Sequence, residues 1–421
     1  MAQPTISSNY GIHKITFPDE MIDVQVDHIN EDARTHKIEG EVNFRTRLPG
    51  MKPHLHRAKL NMTSTQSHDK LASFLEKRVP AIDWYAIVET TCMMVVDEVR
   101  KGEPVYDLAK IDYQASLRWR LAPLLYDGKP NLIFGPGGIS KSFLALYFAT
   151  LIDLGLTEEN GFSAEPGKCL ILDYEGDSVE SAERYAMIMN GMGMAPAERS
   201  ILYRFCHAPL SADLPLIQRQ VLESNIEFIV VDSAAGACGG EPESAERAIK
   251  FFNALRSLRI TTLTIAHTSK QGGGKRGPFG SVYWQNAPRN VLEVIKDQDE
   301  DEDSLTVGLY HRKTNSGRLR TPIGLNLSFK KDSLTIKRDD NSLHDKPETA
   351  KNISLKQRLI KVLSGGEQTT GYLAEELDTT ENTITTKLYS EWTGKDGRQK
   401  GIFVKTGKGT WGLATQANQL L

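Results

Sequence analysis

The stretch Gly135-Pro136-Gly137-Gly138-Ile139-Ser140-Lys141-Ser142 decides how this chain is read. It follows a short apolar run, Leu132–Phe134, that reads as a strand, and it precedes an apolar helical stretch, Phe143–Leu154. Glycines let backbone N–H groups turn inward around phosphate oxygens, and a helix N-terminus adds the positive end of its dipole. A lysine in the place of Lys141 reaches the β- and γ-phosphates, and a hydroxyl in the place of Ser142 serves Mg2+. The candidate nucleotide-binding set is therefore Gly135, Pro136, Gly137, Gly138, Ile139, Ser140, Lys141, Ser142 and Phe143, with ATP and Mg2+ as the expected ligands. The strict pattern, G-x-x-x-x-G-K-[ST], has a glycine where this chain has Ser140. That departure matters only if the position needs a left-handed backbone or has no room for a Cβ.

Further apolar runs follow, each ending in a polar residue. Cys169–Asp173 leads into Tyr174-Glu175-Gly176-Asp177, and a carboxylate just past a strand's C-terminal end is where a water-activating base would stand. Glu175 is the candidate base and Asp173 the fallback. Phe228–Asp232 is a buried-type strand ending in a carboxylate, the Walker B arrangement, which makes Asp232 a candidate magnesium-site residue beside Ser142. Leu263–His267 brings His267 to the next expected strand end, as a sensor of the γ-phosphate. Val291–Lys296 and Leu305–Tyr310 complete the strand set and flank an acidic stretch, Asp297–Asp303, that reads as a solvated hairpin loop. Strands alternating with amphipathic helices mean an α/β domain on a mostly parallel sheet over 106–338.

Composition narrows the class. The chain has 421 residues, 39% of them hydrophobic, enough for two or three globular domains. No apolar run approaches the roughly 20 residues of a membrane span, and Met1 through Lys14 show no apolar leader, so a cytoplasmic protein is expected. The four cysteines are widely spaced, without metal-ligand spacing. The formal net charge of −3 offers no global basic field, so any DNA contact must be local.

Residues 1–105 pass from alternating stretches (Lys14–Phe17, Ile22–Val26, Lys37–Arg45) into helical patterns at Lys70–Arg78 and Ile82–Lys101, a small α+β module without a chemical signature. The polar stretch 339–352 reads as a linker. Over 353–421 the patterns give helices at Ser354–Ser364, Thr370–Leu377 and Glu381–Glu391, then strands at Ile402–Thr406 and Thr410–Ala414. That order resembles a winged helix, whose recognition helix would expose Asn382, Thr383, Thr385, Thr386 and Lys387. Its wing region is basic through Lys395, Arg398, Lys400, Lys405 and Lys408. Lys387, Arg398 and Lys400 are the candidate duplex-DNA contacts.

As an ordered set, GPGGISKSFLAL, LDYEGD followed by Glu183-Arg184, FIVVDS, IAHTSK and HRKTNSGR resemble the RecA-type ATPases between about Leu121 and Arg338. Within that group they are similar to the RepA-like hexameric helicase ATPases of plasmids, phages and related mobile elements. The resemblance implies a RecA-like core, Glu175 as the base, and active sites shared between neighbouring subunits of a homo-oligomer, expected to be a hexamer. It also implies a basic finger acting in trans; Arg289, Lys313 and Arg318 are the candidates, with Arg312 beside them. A positive charge there stabilises the transferring phosphoryl group, worth roughly 10³–10⁵ in rate in other phosphate-loop enzymes. The family often has Lys-x-Arg where this chain reads Lys313-Thr314-Asn315, which leaves the finger's identity open.

Gln271–Gly280 is a glycine-rich loop with Lys275 and Arg276, and loops at this place in RecA-type proteins line a pore and track single-stranded DNA. Tyr283 and Trp284 would offer stacking surfaces. A second loop, Gly236–Ser244, is a poorer phosphate contact because of Glu241 and Glu243. The expectation is an ATP-hydrolysing helicase or helicase loader. Two rivals stand beside it: an ATP-switched DNA-binding regulator, and a recombination-mediator ATPase that coats DNA without unwinding it.

Overall fold

The structure, a computed structural model, describes residues 2–102, 105–111, 118–195, 201–268, 277–297, 304–392 and 401–414. The chain forms two compact units. The first comprises Met1–Leu132, Ser142–Ala182 and Glu198–Asn290; the second comprises Ile133–Lys141, Glu183–Ala197 and Val291–Leu421.

The first unit opens with a five-stranded antiparallel meander, Thr5–Asn9, Ile12–Phe17, Ile22–Glu31, Ile38–Thr46 and His54–Asn61, in sequence order. Alternation decides its faces: Ile15, Val24 and Phe44 align across three strands on one side, while Lys14, Gln25, Asn43 and Arg57 align on the other. The apolar face is covered by helices Thr65–Glu76 and Trp84–Lys101, the second burying Trp84, Ile87, Val88, Thr91, Cys92 and Val95 at helical spacing. Asp83 caps that helix by accepting from the Ala86 N–H at 3.0 Å.

Next in the first unit come a small sheet (Trp119–Ala122, Leu125–Tyr126, Thr157–Glu159, Phe162–Ala164) and the core strands. We label these β1 (Pro130–Gly135), β2 (Lys168–Asp173), β3 (Leu202–Phe205), β4 (Ile226–Asp232) and β5 (Thr261–His267); their order is β3-β2-β4-β5-β1. β2 pairs in parallel with β3 and β4, and β4 with β5. Such strands are covered on both faces, which is why Phe228–Val231 and Leu132–Phe134 are unbroken apolar runs, fully buried. Helices α1 (Lys141–Leu154), α2 (Ser178–Gly191), α3 (Leu210–Ser224) and α4 (Ala245–Ser257) connect them.

β1 gives its last three residues to the second unit, where the order continues as β6 (Asn290–Asp297), β7 (Ser304–Thr314), β8 (Ile323–Lys330) and β9 (Ser333–Arg338). The last three form an antiparallel meander. The acidic stretch expected between β6 and β7 lies, from 298 to 303, outside the described residues. The expected linker, 339–352, carries two helical turns, Ser342–Asp345 and Pro347–Ala350. Leu343 packs with Ile295, Tyr310 and Ile353, and the Tyr310 hydroxyl donates to the Thr349 carbonyl at 2.7 Å. Leu343 within this polar stretch and Ile353 just past it pack in that cluster, which, with the Thr349 hydrogen bond, anchors it.

The C-terminal segment follows as helix Leu355–Ser364, strand Gln368–Thr369, helices Thr370–Glu376 and Glu381–Ser390, and strands Phe403–Gly407 and Thr410–Leu413. A capping box between Ser354 and Gln357 starts the first helix. The strand Thr410–Leu413 lies between the other two, over a core of Leu359, Leu363, Leu373, Ile384, Leu388, Phe403 and Trp411. Among the described residues no helix is long and apolar enough to cross a membrane.

Candidate active site

In the second unit the chain leaves β1 through Gly135, where a Cβ would lie 2.6 Å from the Val294 carbonyl oxygen and 2.3 Å from Ile139 Cδ1. Glycine is required there by close approach of backbone. Gly137 and Gly138 instead face open space, so the middle of the loop has room for a ligand against its amides. Gly138 and Ser140 both adopt left-handed backbone, with φ of 70° and 62°. The condition set by the sequence is thus met on one count: the position of Ser140 does need positive φ, and a serine holds it. Ile139 is buried, and Lys141 is 6% exposed with its Nζ donating to the carbonyls of Gly135 at 3.0 Å and Pro136 at 2.6 Å. Lys296 Nζ, from the end of β6, donates to the Gly138 carbonyl at 3.2 Å. First-turn amides, a lysine and an open loop mouth form a donor set that fits a polyphosphate. Ser142 and Phe143 are half-buried in the first turn of α1.

The first unit holds the carboxylates. Parallel register sets Asp173 opposite Asp232, so two strands end side by side in acids. Asp173 is buried; its Oδ1 accepts from the backbone N–H of Glu175 at 2.9 Å and of Gly176 at 2.8 Å, and its Oδ2 accepts from the Tyr203 hydroxyl at 3.0 Å. Burial and the Asp173 carboxylate both push the Tyr203 pKa up, so this phenol is a standing donor. The fallback base is therefore occupied in shaping the turn that presents Glu175. The Glu175 side chain is 48% exposed, and His267 Nε2 lies 4.0 Å from its Oε1. Ser233, fully buried, donates its hydroxyl to that same oxygen. Asp232, Ser142 and solvent are the oxygen donors Mg2+ prefers, so the residue types present fit the metal.

The basic candidates are dispersed. Arg289 is exposed, and its backbone N–H donates to the Pro130 carbonyl at 3.0 Å, where β1 begins. Arg312 binds Glu293 at 2.5 Å and Asn352 at 2.9 Å, so it neutralises a buried carboxylate on β6. Lys313 follows it half-buried on β7, and Arg318 is exposed in the turn beyond. Lys275 and Arg276 lie outside the described residues. Trp284 corrects an expectation: it is 1% exposed, packs at about 5 Å on Phe251 and Phe252, and donates to the Pro242 carbonyl, so it offers no stacking surface. Tyr283 remains partly exposed.

In the C-terminal segment Lys387 Nζ lies 3.6 Å from Glu391, which also takes Lys356 at 2.8 Å. Lys405 donates to the Tyr389 hydroxyl at 2.9 Å. Arg398 and Lys400 lie outside the described residues. Asn382, Thr383 and Thr386 are exposed along helix Glu381–Ser390. Sequence reading missed Ser233, Tyr203 and Lys296. Only Ser233 carried a signal, as the residue directly after the Walker B aspartate.

Residues 105–273 match the family described as AAA domain, a segment that includes the phosphate loop and the ends of β2, β4 and β5. No curated protein matches the chain. Among solved structures, a KaiC-like protein from the hyperthermophilic archaeon Pyrococcus horikoshii OT3 aligns over 50% of this chain and 90% of its own length. The identity is 16% and the TM-score 0.35. The central part of the chain is thus similar to the AAA domain family and sits on an α/β sheet, as a nucleotide-binding core of the kind expected from the sequence would.

Proposed function

We propose that the protein is an ATP-hydrolysing motor with a RecA-like core that acts on DNA, as a ring-forming replicative helicase or helicase-like ATPase of a mobile element. The observation that carries the ATPase half is the presentation of Glu175: a half-exposed carboxylate held just past β2, next to the strand ending in Asp232. In this reading the loop amides and Lys141 hold the triphosphate, and Ser142 and Asp232 hold Mg2+. The metal supplies charge neutralisation at the phosphate oxygens. Glu175 takes a proton from the attacking water as the water oxygen bonds to the γ-phosphorus and the bond from that phosphorus to the ADP oxygen breaks. His267 senses the γ-phosphate, and Arg289, Lys313 or Arg318 of a neighbouring subunit serves as the finger.

The DNA half rests on the resemblance of the motif set and on the C-terminal order of helix, strand, two helices and two strands, which supports a winged helix. Lys275 and Arg276 are proposed single-strand contacts, and Lys387, Arg398 and Lys400 duplex contacts. For Lys387 this requires giving up its pair with Glu391. That same C-terminal segment favours a second reading, an ATP-switched DNA-binding regulator. Mass photometry with ATP, followed by unwinding of a forked duplex, separates them: a ring of about six subunits with strand separation supports the helicase. A dimer that footprints a duplex site without unwinding supports the regulator and ends the first reading.

A further inference from the structure

We infer that Ser233 is the positioning residue for Glu175, holding the carboxylate in the orientation from which it accepts a proton. The inference deepens the proposed function and rests on Glu175 being the base. Ser233 occupies the N-cap of the short helix Ala234–Ala237, where a serine hydroxyl ordinarily accepts from a first-turn N–H. Here it makes no cap hydrogen bond and donates instead to Glu175 Oε1, contributed by a strand end 58 residues earlier. The hydroxyl has been diverted from a local partner to a distant one.

Among the described residues, the surrounding groups leave this role to Ser233. His267 Nε2, at 4.0 Å from the same oxygen, is beyond hydrogen-bond reach. Asp173 spends its oxygens on two backbone amides and Tyr203. A glutamate has three rotatable side-chain bonds and this one is half-exposed, so without an anchor its carboxylate samples many directions. A buried, neutral donor suits a base because it fixes one oxygen and leaves Oε2 as the acceptor, whereas a lysine or arginine would pair with the carboxylate and blunt it. Because Ser233 directly follows Asp232, the same backbone turn that presents the proposed metal-site carboxylate also aims the base.

The test compares Ser233→Ala, Glu175→Gln and the double variant as full-length protein, by phosphate release, by fluorescent ATP-analogue binding and by thermal melting without nucleotide. Ser233→Ala is expected to lower kcat by about 10- to 100-fold, as loss of an orienting partner does, with KM and analogue affinity within about twofold of wild type. Adding Ser233→Ala to Glu175→Gln should lower the residual turnover no further, since the residues act as a unit. Wild-type kcat in a folded Ser233→Ala protein overturns the inference, as does an equal loss in both backgrounds or a matching loss of analogue affinity. If Glu175→Gln itself keeps full turnover, the base assignment has failed instead. Should Ser233→Ala melt too low to assay, Glu175→Asp, at a half-exposed site, shortens the reach to Ser233. It should show the same kcat loss with unchanged affinity, and wild-type turnover there overturns the inference equally.

Discussion

Arg219 on α3 and Asp27 on the third N-terminal strand form an ion pair at 2.5 Å, with side chains 22% and 8% exposed. Asp27 also accepts from Gln25 at 2.8 Å and binds His28 at 2.7 Å. Burial opposes its ionisation, yet the hydrogen bonds from His28, Gln25 and Arg219 outweigh that and hold its pKa below the ordinary value. The pair thus ties the N-terminal sheet to the core helix inside the first unit. Arg219→Ala leaves a buried carboxylate short of its cation and should cost about 2–4 kcal/mol of stability, read from urea denaturation at pH 7. Because the folded pKa is depressed, this contribution is present above the unfolded value near 4 and fades as pH falls through the folded one. Asp27→Asn should lack that acid sensitivity. Equal urea midpoints for Arg219→Ala and wild type would show the pair to be idle.

Positions within the phosphate loop should respond unequally. Gly135→Ala forces a methyl against the Val294 carbonyl and is expected to cost about 3 kcal/mol with loss of nucleotide binding. Gly137→Ala meets open space and should leave the melting temperature unchanged. At Ser140 the left-handed backbone costs a non-glycine residue about 1–2 kcal/mol, more than the roughly 0.5–1 kcal/mol entropy penalty of glycine. Ser140→Gly should therefore raise the melting temperature by about 1–3 °C. A fall on Ser140→Gly would mean that the hydroxyl makes a contribution larger than the strain.

His311, on β7, is 6% exposed, and among the described residues neither ring nitrogen has a hydrogen-bond partner. Burial, reinforced by the charge of Arg320, pushes its pKa down to about 4 from an ordinary 6.5. The unfolded chain takes up a proton as pH falls below about 6.5 while the folded chain does not, so stability declines across that window. The loss should reach about 2 kcal/mol between pH 7 and pH 5. His311→Leu should flatten this limb in urea titrations, and an unchanged slope would place the acid sensitivity elsewhere.

Much of the core was legible because its signals are local. β1, β2, β4 and β5 are buried on both faces and announce themselves as apolar runs ending at Gly135, Asp173, Asp232 and His267. β3, Leu202–Phe205, escaped because it is short and half-buried, with Tyr203 and Arg204 interrupting the apolar pattern. Trp284 reads as a surface aromatic because it follows a glycine-rich loop and runs into Gln285 and Asn286, yet Phe251 and Phe252 enclose it from another helix. The partnerships Asp27–Arg219 and Glu175–Ser233 join residues far apart in the chain, and no periodicity encodes them. Ser233 was in plain view after Asp232, but its hydroxyl's direction is a tertiary fact.

The most direct test of the account is ATP turnover by purified wild type, Lys141→Ala and Glu175→Gln, measured as phosphate release with Mg2+ alongside binding of a fluorescent ATP analogue. Wild type should hydrolyse ATP. Lys141→Ala should lose binding and hydrolysis together. Glu175→Gln should bind the analogue within about threefold of wild type and lose at least about 100-fold in turnover. Full turnover by Glu175→Gln, or a wild-type protein that binds ATP and never hydrolyses it, would contradict the claim that this chain is an ATPase built around Glu175.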